Sequence, residues 1–212
     1  MYLSRDIIRR FVAAVEWVTP RNIIVLSLGH YRASERANIV IRNELAKLTK
    51  TRREPPLKRL PCDGGAVYAY YYSRKKNIGT FKFAHDAKLR DCLAKFLKDR
   101  NYEGIDEVSL EPPSDARIGN LFFELDNGHM SPSLLEDKIR RYYSGPGRYR
   151  VVFIMASRYL TLEEEQRRLE MIFDIIRRVY PHKPNRILAA SYRQFLEDGM
   201  FYNFKGDMRR LS

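Results

Sequence analysis

The run Tyr149-Arg-Val-Val-Phe-Ile-Met155 constrains the fold more than any other stretch of the 212 residues. Apolar character sustained over a whole strand belongs to a strand buried on both faces, which is the habit of parallel sheets covered by helices. Its neighbours in sequence agree. Residues 83–97 carry a helical stripe of Leu89, Leu93, Phe96 and Leu97, and residues 107–110, 114–118 and 121–126 read as strands. Residues 133–143 form an amphipathic helix before the apolar run, and a helix over 162–179 and a strand over 186–190 follow it. Helix, three strands, helix, strand, helix is the order of an α/β core.

The first 78 residues have a different rhythm. Ile7, Ile8, Phe11, Val12, Val15 and Val18 form one stripe, predicting a helix over 6–18 capped by Ser4 or Asp6. Thr19-Pro20 opens a second helix through Ile23, Ile24, Leu26 and Leu28, which Gly29 ends. Ser34 caps a third, with Ala37, Ile41, Leu45 and Leu48 as its buried seam and Arg36, Arg42, Lys47 and Lys50 pointing elsewhere. Then β-prone runs at 57–60 and 66–72 flank Pro61-Cys62-Asp63-Gly64-Gly65, whose Asp-Gly is a strong hairpin signal. Three helices and a hairpin are the order of a winged helix-turn-helix. With Asn77-Ile78-Gly79-Thr80 as a boundary, the expected class is α+β: a winged helix-turn-helix over 1–78 and an α/β domain over 79–212.

Charge follows the same division. Residues 1–100 hold 22 Lys and Arg against 9 Asp and Glu, while residues 101–212 hold 17 of each, so the whole net charge of +13 lies in the first half. Such segregation marks a polyanion-binding module joined to a neutral one. The expected partner is double-stranded DNA, with RNA on the same face left open. The third helix would enter the major groove, and the contacts fall to Arg32, Arg36, Arg42, Lys47, Lys50, Arg52, Arg53, Lys58, Arg59, Arg74, Lys75 and Lys76. Tyr68, Tyr70, Tyr71 and Tyr72 fit an alternation of core-facing and wing-covering rings better than base stacking. His30, His85, His129 and His182 form no His-hydrophobe-His cluster, which argues against nicking through a tyrosine.

With 44% hydrophobic residues the chain has ample material for a core. It has no apolar stretch near the ~20 residues that span a bilayer and no signal-peptide pattern, so the expectation is a cytoplasmic protein without a membrane partner. Cys62 and Cys92 lack metal or redox spacing and are expected as reduced thiols.

The segment Leu121-Phe-Phe-Glu-Leu-Asp126-Asn-Gly128 carries the chemistry of the second half. Glu124 and Asp126 share one face of a strand, and Asp115 lies one tight turn earlier, so three acids can converge at a sheet edge. Oxygen ligands of this kind suit Mg²⁺ or Mn²⁺, as a metal-dependent nuclease requires, with Lys138 as balancing cation. The alternative is structural: Glu124, between Phe123 and Leu125, pairs with Lys138 or Arg141, and Asp126 caps a turn.

Ser114-Asp115-Ala116, Phe123-Glu-Leu-Asp-Asn-Gly128 and the helix with Leu135, Lys138, Arg141 and Tyr142 or Tyr143 resemble the second half of the plasmid replication-relaxation family. His85 also matches a histidine that the family places after its wing. The resemblance covers roughly residues 80–156 by motif. It implies a DNA-binding protein of a plasmid, phage or integrative element, acting in replication initiation, DNA relaxation or mobilisation, with replication or mobilisation proteins as further partners. The order of elements is also similar to the restriction-endonuclease-like PD-(D/E)xK fold, which implies Asp115 and Glu124 as metal ligands; with Asp126 on the same face and Lys138 from the next helix they make up the candidate catalytic set. The departure from that pattern is Asp126, which stands where such nucleases keep a lysine. A non-catalytic regulator whose second domain dimerises or recruits a partner fits the same motifs. A homodimer seam along residues 162–179 stays open beside a core role.

Overall fold

Each of the first three helices begins at a side chain suited to start it. In the computed structural model, which describes residues 3–52, 55–62, 67–72, 83–112, 114–144, 149–156, 161–182 and 185–210, Ser4 accepts a hydrogen bond from the Ile7 amide at the head of α1 (Arg5–Val15). Thr19 and Asn22 cap each other's backbone at the head of α2 (Pro20–Leu28), and Ser34 caps α3 (Glu35–Thr49). Gly29 closes α2 at φ +78°, a left-handed conformation that costs glycine little.

Helix α1 stops three residues short of the Val18 that its periodicity reaches. Glu16 takes φ +71°, and Trp17–Val18 leave as strand β1. They pair with Tyr71 and Tyr70 of β3 (Val67–Tyr71), which pairs in turn with β2 (Lys58–Cys62), giving an antiparallel sheet of order β1-β3-β2. Two ladder partners and the complete burial of Val18 outweigh a further turn of helix, whose intrinsic preference is weak.

The chain divides into two units, Met1–Ser109 and Leu110–Ser212. Helix α4 (Phe83–Asp99), assigned by its position after residue 78 to the second segment, packs along α2 in the first. Every residue from Leu89 to Leu97 is buried, charged ones included. Arg90 explains how: its Nε donates to the carbonyls of Val15 (3.0 Å) and Trp17 (2.8 Å), its Nη1 donates to that of Asp86 (2.9 Å), and the guanidinium lies 3.9 Å from the Trp17 ring centre. Burial lowers this arginine to about 10. The buried Asp91 accepts from Arg21 Nε (2.8 Å) and from Asn22 Nδ2 (2.6 Å), and Phe83 stacks on Trp17 at 5.0 Å. Cys62 and Cys92 are buried free thiols. The turn at residues 63–66 and the boundary at 77–80 lie outside the described residues.

The larger sheet is mixed and seven-stranded, in the order β10-β9-β8-β7-β6-β5-β4. Strand β4 is Val108–Ser109, and the others are β5 (Ala116–Ile118), β6 (Leu121–Asp126), β7 (Arg150–Met155), β8 (Ile187–Ser191), β9 (Met200–Tyr202) and β10 (Met208–Arg210). Strands β6, β7 and β8 run parallel, with Glu124 beside Phe153 and Phe153 beside Ala189. As its composition demands, β7 is buried on both faces from Val151 to Met155. Helices α5 (Pro132–Ser144) and α6 (Leu162–Val179) supply Leu135, Ile139, Tyr142, Ile172 and Ile176 to the cluster that covers Val151, Phe153, Met155 and Ala189. Helix α7 (Tyr192–Asp198) contacts β7 and β8, with Phe195 against Phe201 at 4.6 Å. The apolar stripe of α6 and the C-terminal aromatics Phe195, Phe201 and Phe204 therefore belong to the core. Among the described residues no helix is long and apolar enough to cross a membrane.

Replacing Arg90 leaves the Val15 and Trp17 carbonyls buried without their donor, at about 1–3 kcal/mol each. Arg90→Ala is expected to lower unfolding free energy by about 3 kcal/mol, read in urea from the fluorescence of Trp17, the sole tryptophan. A loss below about 1 kcal/mol would show the clamp to be dispensable.

Candidate functional site

Two clusters of functional side chains stand out, one in each unit. In the first, residues 36, 39, 43, 47 and 50 recur at helical spacing on the face of α3 opposite the buried Leu45 and Leu48. Arg36, Arg42 and Lys50 on this helix, and Arg52 just beyond it, are exposed and make no ion pair among the described residues. Lys47 differs, since its Nζ lies 2.6 Å from Glu44, which also accepts from Arg5 (2.8 Å). These two hydrogen bonds, that from Arg5 foremost, hold the Glu44 carboxyl below its usual range.

The hairpin brings further cations to the helix. The Arg59 guanidinium lies 4.9 Å over the Tyr68 ring, and Lys58 is exposed on the same strand. Arg59 and Arg42 both act on the Tyr70 hydroxyl from opposite elements, although burial dominates and raises that phenol. Arg32 lies 6.0 Å over Tyr31. The tyrosines do not divide into one core face and one outer face: Tyr70 is buried while Tyr68 on the same face is exposed under Arg59, Tyr71 on the other face packs with Trp17 and Ala69, and Tyr72 accepts from Arg9 (3.4 Å). Arg53, Arg74, Lys75 and Lys76 lie outside the described residues.

In the second unit Glu124 is 1% exposed, and both its carboxylate oxygens carry protein donors. Lys138 Nζ bonds to Oε2 and the Tyr142 hydroxyl donates to Oε1. Spaced four apart on α5, these donors share one face of the helix. Tyr142 is seated by rings: Phe122 at 6.1 Å, Tyr149 at 6.3 Å and Phe153 at 6.4 Å. The other candidate cation, Arg141, directs its Nε to the Asp137 carbonyl at 3.4 Å.

Asp115 joins Glu124, whereas Asp126 is turned to other partners. Asp115 Oδ2 accepts from the Leu125 amide (2.8 Å), one residue beyond Glu124. Burial first, then the charge of Asp115, push Glu124 up to about 8 against the opposing pull of Lys138. Asp126 is 3% exposed, accepts from Arg168 Nε of α6 (2.8 Å) and binds the Gly128 amide (2.8 Å), while Arg168 also donates to the Met130 carbonyl (2.6 Å). Among the described residues no group of three or more His, Cys, Asp or Glu side chains is arranged to hold a metal ion. The residues as placed do not fit a three-carboxylate cage for Mg²⁺ or Mn²⁺, because Arg168 occupies Asp126 and protein donors cover both oxygens of Glu124.

Arg168 was invisible from the motif, lying 42 residues beyond Asp126 in a helix whose outward face is rich in charge. Its one sequence signal is spacing, four residues ahead of the buried Ile172. Comparison with protein-family models, with curated proteins and with solved structures gives no match to the chain.

The state of Glu124 makes stability depend on pH. Unfolded, this carboxyl loses its proton near 4.5, whereas folded it keeps it to about 8. Its contribution is therefore fully present below pH 4.5 and is lost as pH rises to about 8. Glu124→Gln, which mimics the protonated form, is expected to flatten the fall in stability between pH 5 and 8, by on the order of a few kcal/mol. Urea titrations across that range read it, and equal slopes for the two proteins count against a raised Glu124.

Proposed function

We propose that this chain is a cytoplasmic, duplex-DNA-binding protein of a plasmid, phage or integrative element, working in replication or mobilisation. On this reading its first unit is a winged helix-turn-helix. Its second is a nuclease-like α/β domain that serves as a scaffold for dimerisation or for a replication or mobilisation partner. The observation that carries the reading is the exposed pair Arg36 and Arg42 on α3, without ion pairs among the described residues, beside Lys58 and Arg59 of the hairpin. The order helix, strand, helix, helix, hairpin, with sheet order β1-β3-β2, supports the winged-helix assignment. The motifs at Asp115, Glu124 and Lys138 support the replication-relaxation likeness, and the double occupation of Glu124 supports a structural role for that cluster.

Binding of a labelled duplex by the full chain tests it. Log affinity is expected to fall linearly with log salt at about 0.9 per phosphate contacted, and Arg42→Ala or Lys50→Ala to reduce the slope by about one each. A flat salt response removes the DNA-binding reading, and preference for duplex RNA in competition replaces it. One observation favours a second reading, metal-dependent nicking: Asp115 and Glu124 stand together, and a divalent cation would relieve their repulsion. Supercoiled plasmid with Mg²⁺ or Mn²⁺ is expected to stay intact. Nicks that vanish in Asp115→Ala and Glu124→Ala would establish the second reading instead.

A further inference from the structure

The basic face of α3 contains a residue that phosphate binding does not explain. Ile39 is 52% exposed at the middle of that face, with Arg36 three residues before it and Arg42 and Asn43 three and four after. A single exposed aliphatic side chain is ordinary on a protein surface. Here its surroundings are the informative part, since Arg36, Arg42 and Asn43 are all exposed and none makes a hydrogen bond or ion pair among the described residues. An isoleucine offers phosphate nothing. Its branched β-carbon holds one preferred rotamer in a helix, so it presents a stiff apolar knob.

We infer that Arg36, Ile39 and Asn43 read base edges in the major groove, and that the duplex bound by this chain contains a thymine whose methyl group packs on Ile39. The inference rests on the DNA-binding reading above and deepens it from charge to sequence. Major-groove chemistry supplies a partner for each side chain: guanine O6 and N7 for Arg36, the thymine methyl for Ile39, adenine N6 and N7 for Asn43. The dimensions agree. At 1.5 Å per residue the three side chains span roughly 10 Å of helix, within a groove about 12 Å wide. They also lie within the first nine residues of a fifteen-residue helix, the part that a recognition helix turns toward the bases. Charge complementarity with Arg36, Arg42, Lys50 and Arg52, which make no ion pair among the described residues, selects a polyanion over an apolar protein surface as the occupant of this face.

Removing the methyl group from either side tests the contact. The full chain is used to select its preferred duplex from a random library, and each thymine of that duplex is then replaced by uracil. One replacement is expected to weaken the wild-type protein about four-fold, the value of one buried methyl group, and to leave Ile39→Ala unaffected. Asn43→Ala is expected to lose the preference at an adjacent adenine, while non-specific affinity and salt slope stay unchanged in both variants. Binding without sequence preference, or a uracil effect of equal size in both proteins, overturns the inference and leaves the DNA-binding reading intact. Failure to bind any duplex overturns both. Dissociation of a wild-type dimer by Ile39→Ala in sedimentation would assign the face to a second copy of the chain and overturn the inference too.

Discussion

Glu124 is a carboxyl group in the middle of an apolar strand, and the second unit is built around that burden. An isolated ionised carboxylate at such depth is prohibitive, so the group either keeps its proton or receives donors. It does both. Burial and Asp115 hold the proton on, while Lys138 and Tyr142 close over the two oxygens. Because those donors sit one turn apart on α5, the helix has one rotational setting that satisfies them. The same setting drives Leu135 and Ile139 into the core against β7. Tyr142 then anchors the aromatic cluster of Phe122, Tyr149 and Phe153, so polar satisfaction and apolar packing specify the same arrangement.

The first unit solves an analogous problem with opposite charges, and its solution shapes its surface. Asp91 and Arg90 are buried on α4 and matched to Asn22, Arg21 and the carbonyls around Trp17. Other acids are consumed locally: Glu44 by Arg5 and Lys47, Asp99 by Lys95, Asp106 by Arg10. Exposed pairs of this kind add little stability. Their consequence is electrostatic, because each neutralises an acid of the first unit. Arg36, Arg42 and Lys50 are exposed and have no acidic partner among the described residues, so their field projects into solvent.

Local signals were legible in sequence and distant pairings were not. Ser4, Thr19, Gly29 and Ser34 mark helix ends because a cap involves neighbours within three or four residues. The run at 149–155 announces a doubly buried strand because composition alone carries that information. Trp17–Val18 reads as helix from its own periodicity, since its strand partner lies more than 50 residues away at Tyr70 and Tyr71. Helix α4 follows the same rule. Leu89, Leu93, Phe96 and Leu97 identify a helix, but its allegiance to α2 depends on Asn22 and Asp91 meeting across 69 residues. Glu124 with Lys138, separated by fourteen residues and placed on adjacent elements of a β-α unit, stood at the edge of what spacing can predict.

Asp126 is a second acid that β6 buries, and it is satisfied from a different helix. Asp126 lies two residues beyond Glu124 on the same strand, so the two acids share one face. Placing an acid there adds a negative charge to a strand end that already holds Asp115 and Glu124, and the balance has to be restored from outside the strand. Arg168 restores it from α6, in contact with Asp126 and with the Met130 carbonyl, and Lys138 donates to Glu124 from α5. Two helices thus each contribute one cation to one acid of β6. The consequence is mechanical: removal of either cation leaves a buried carboxyl oxygen without its donor and loosens a different helix, so the cluster couples both covering helices to the same strand. A site organised in this way gains rigidity from the contacts that occupy its carboxyl oxygens.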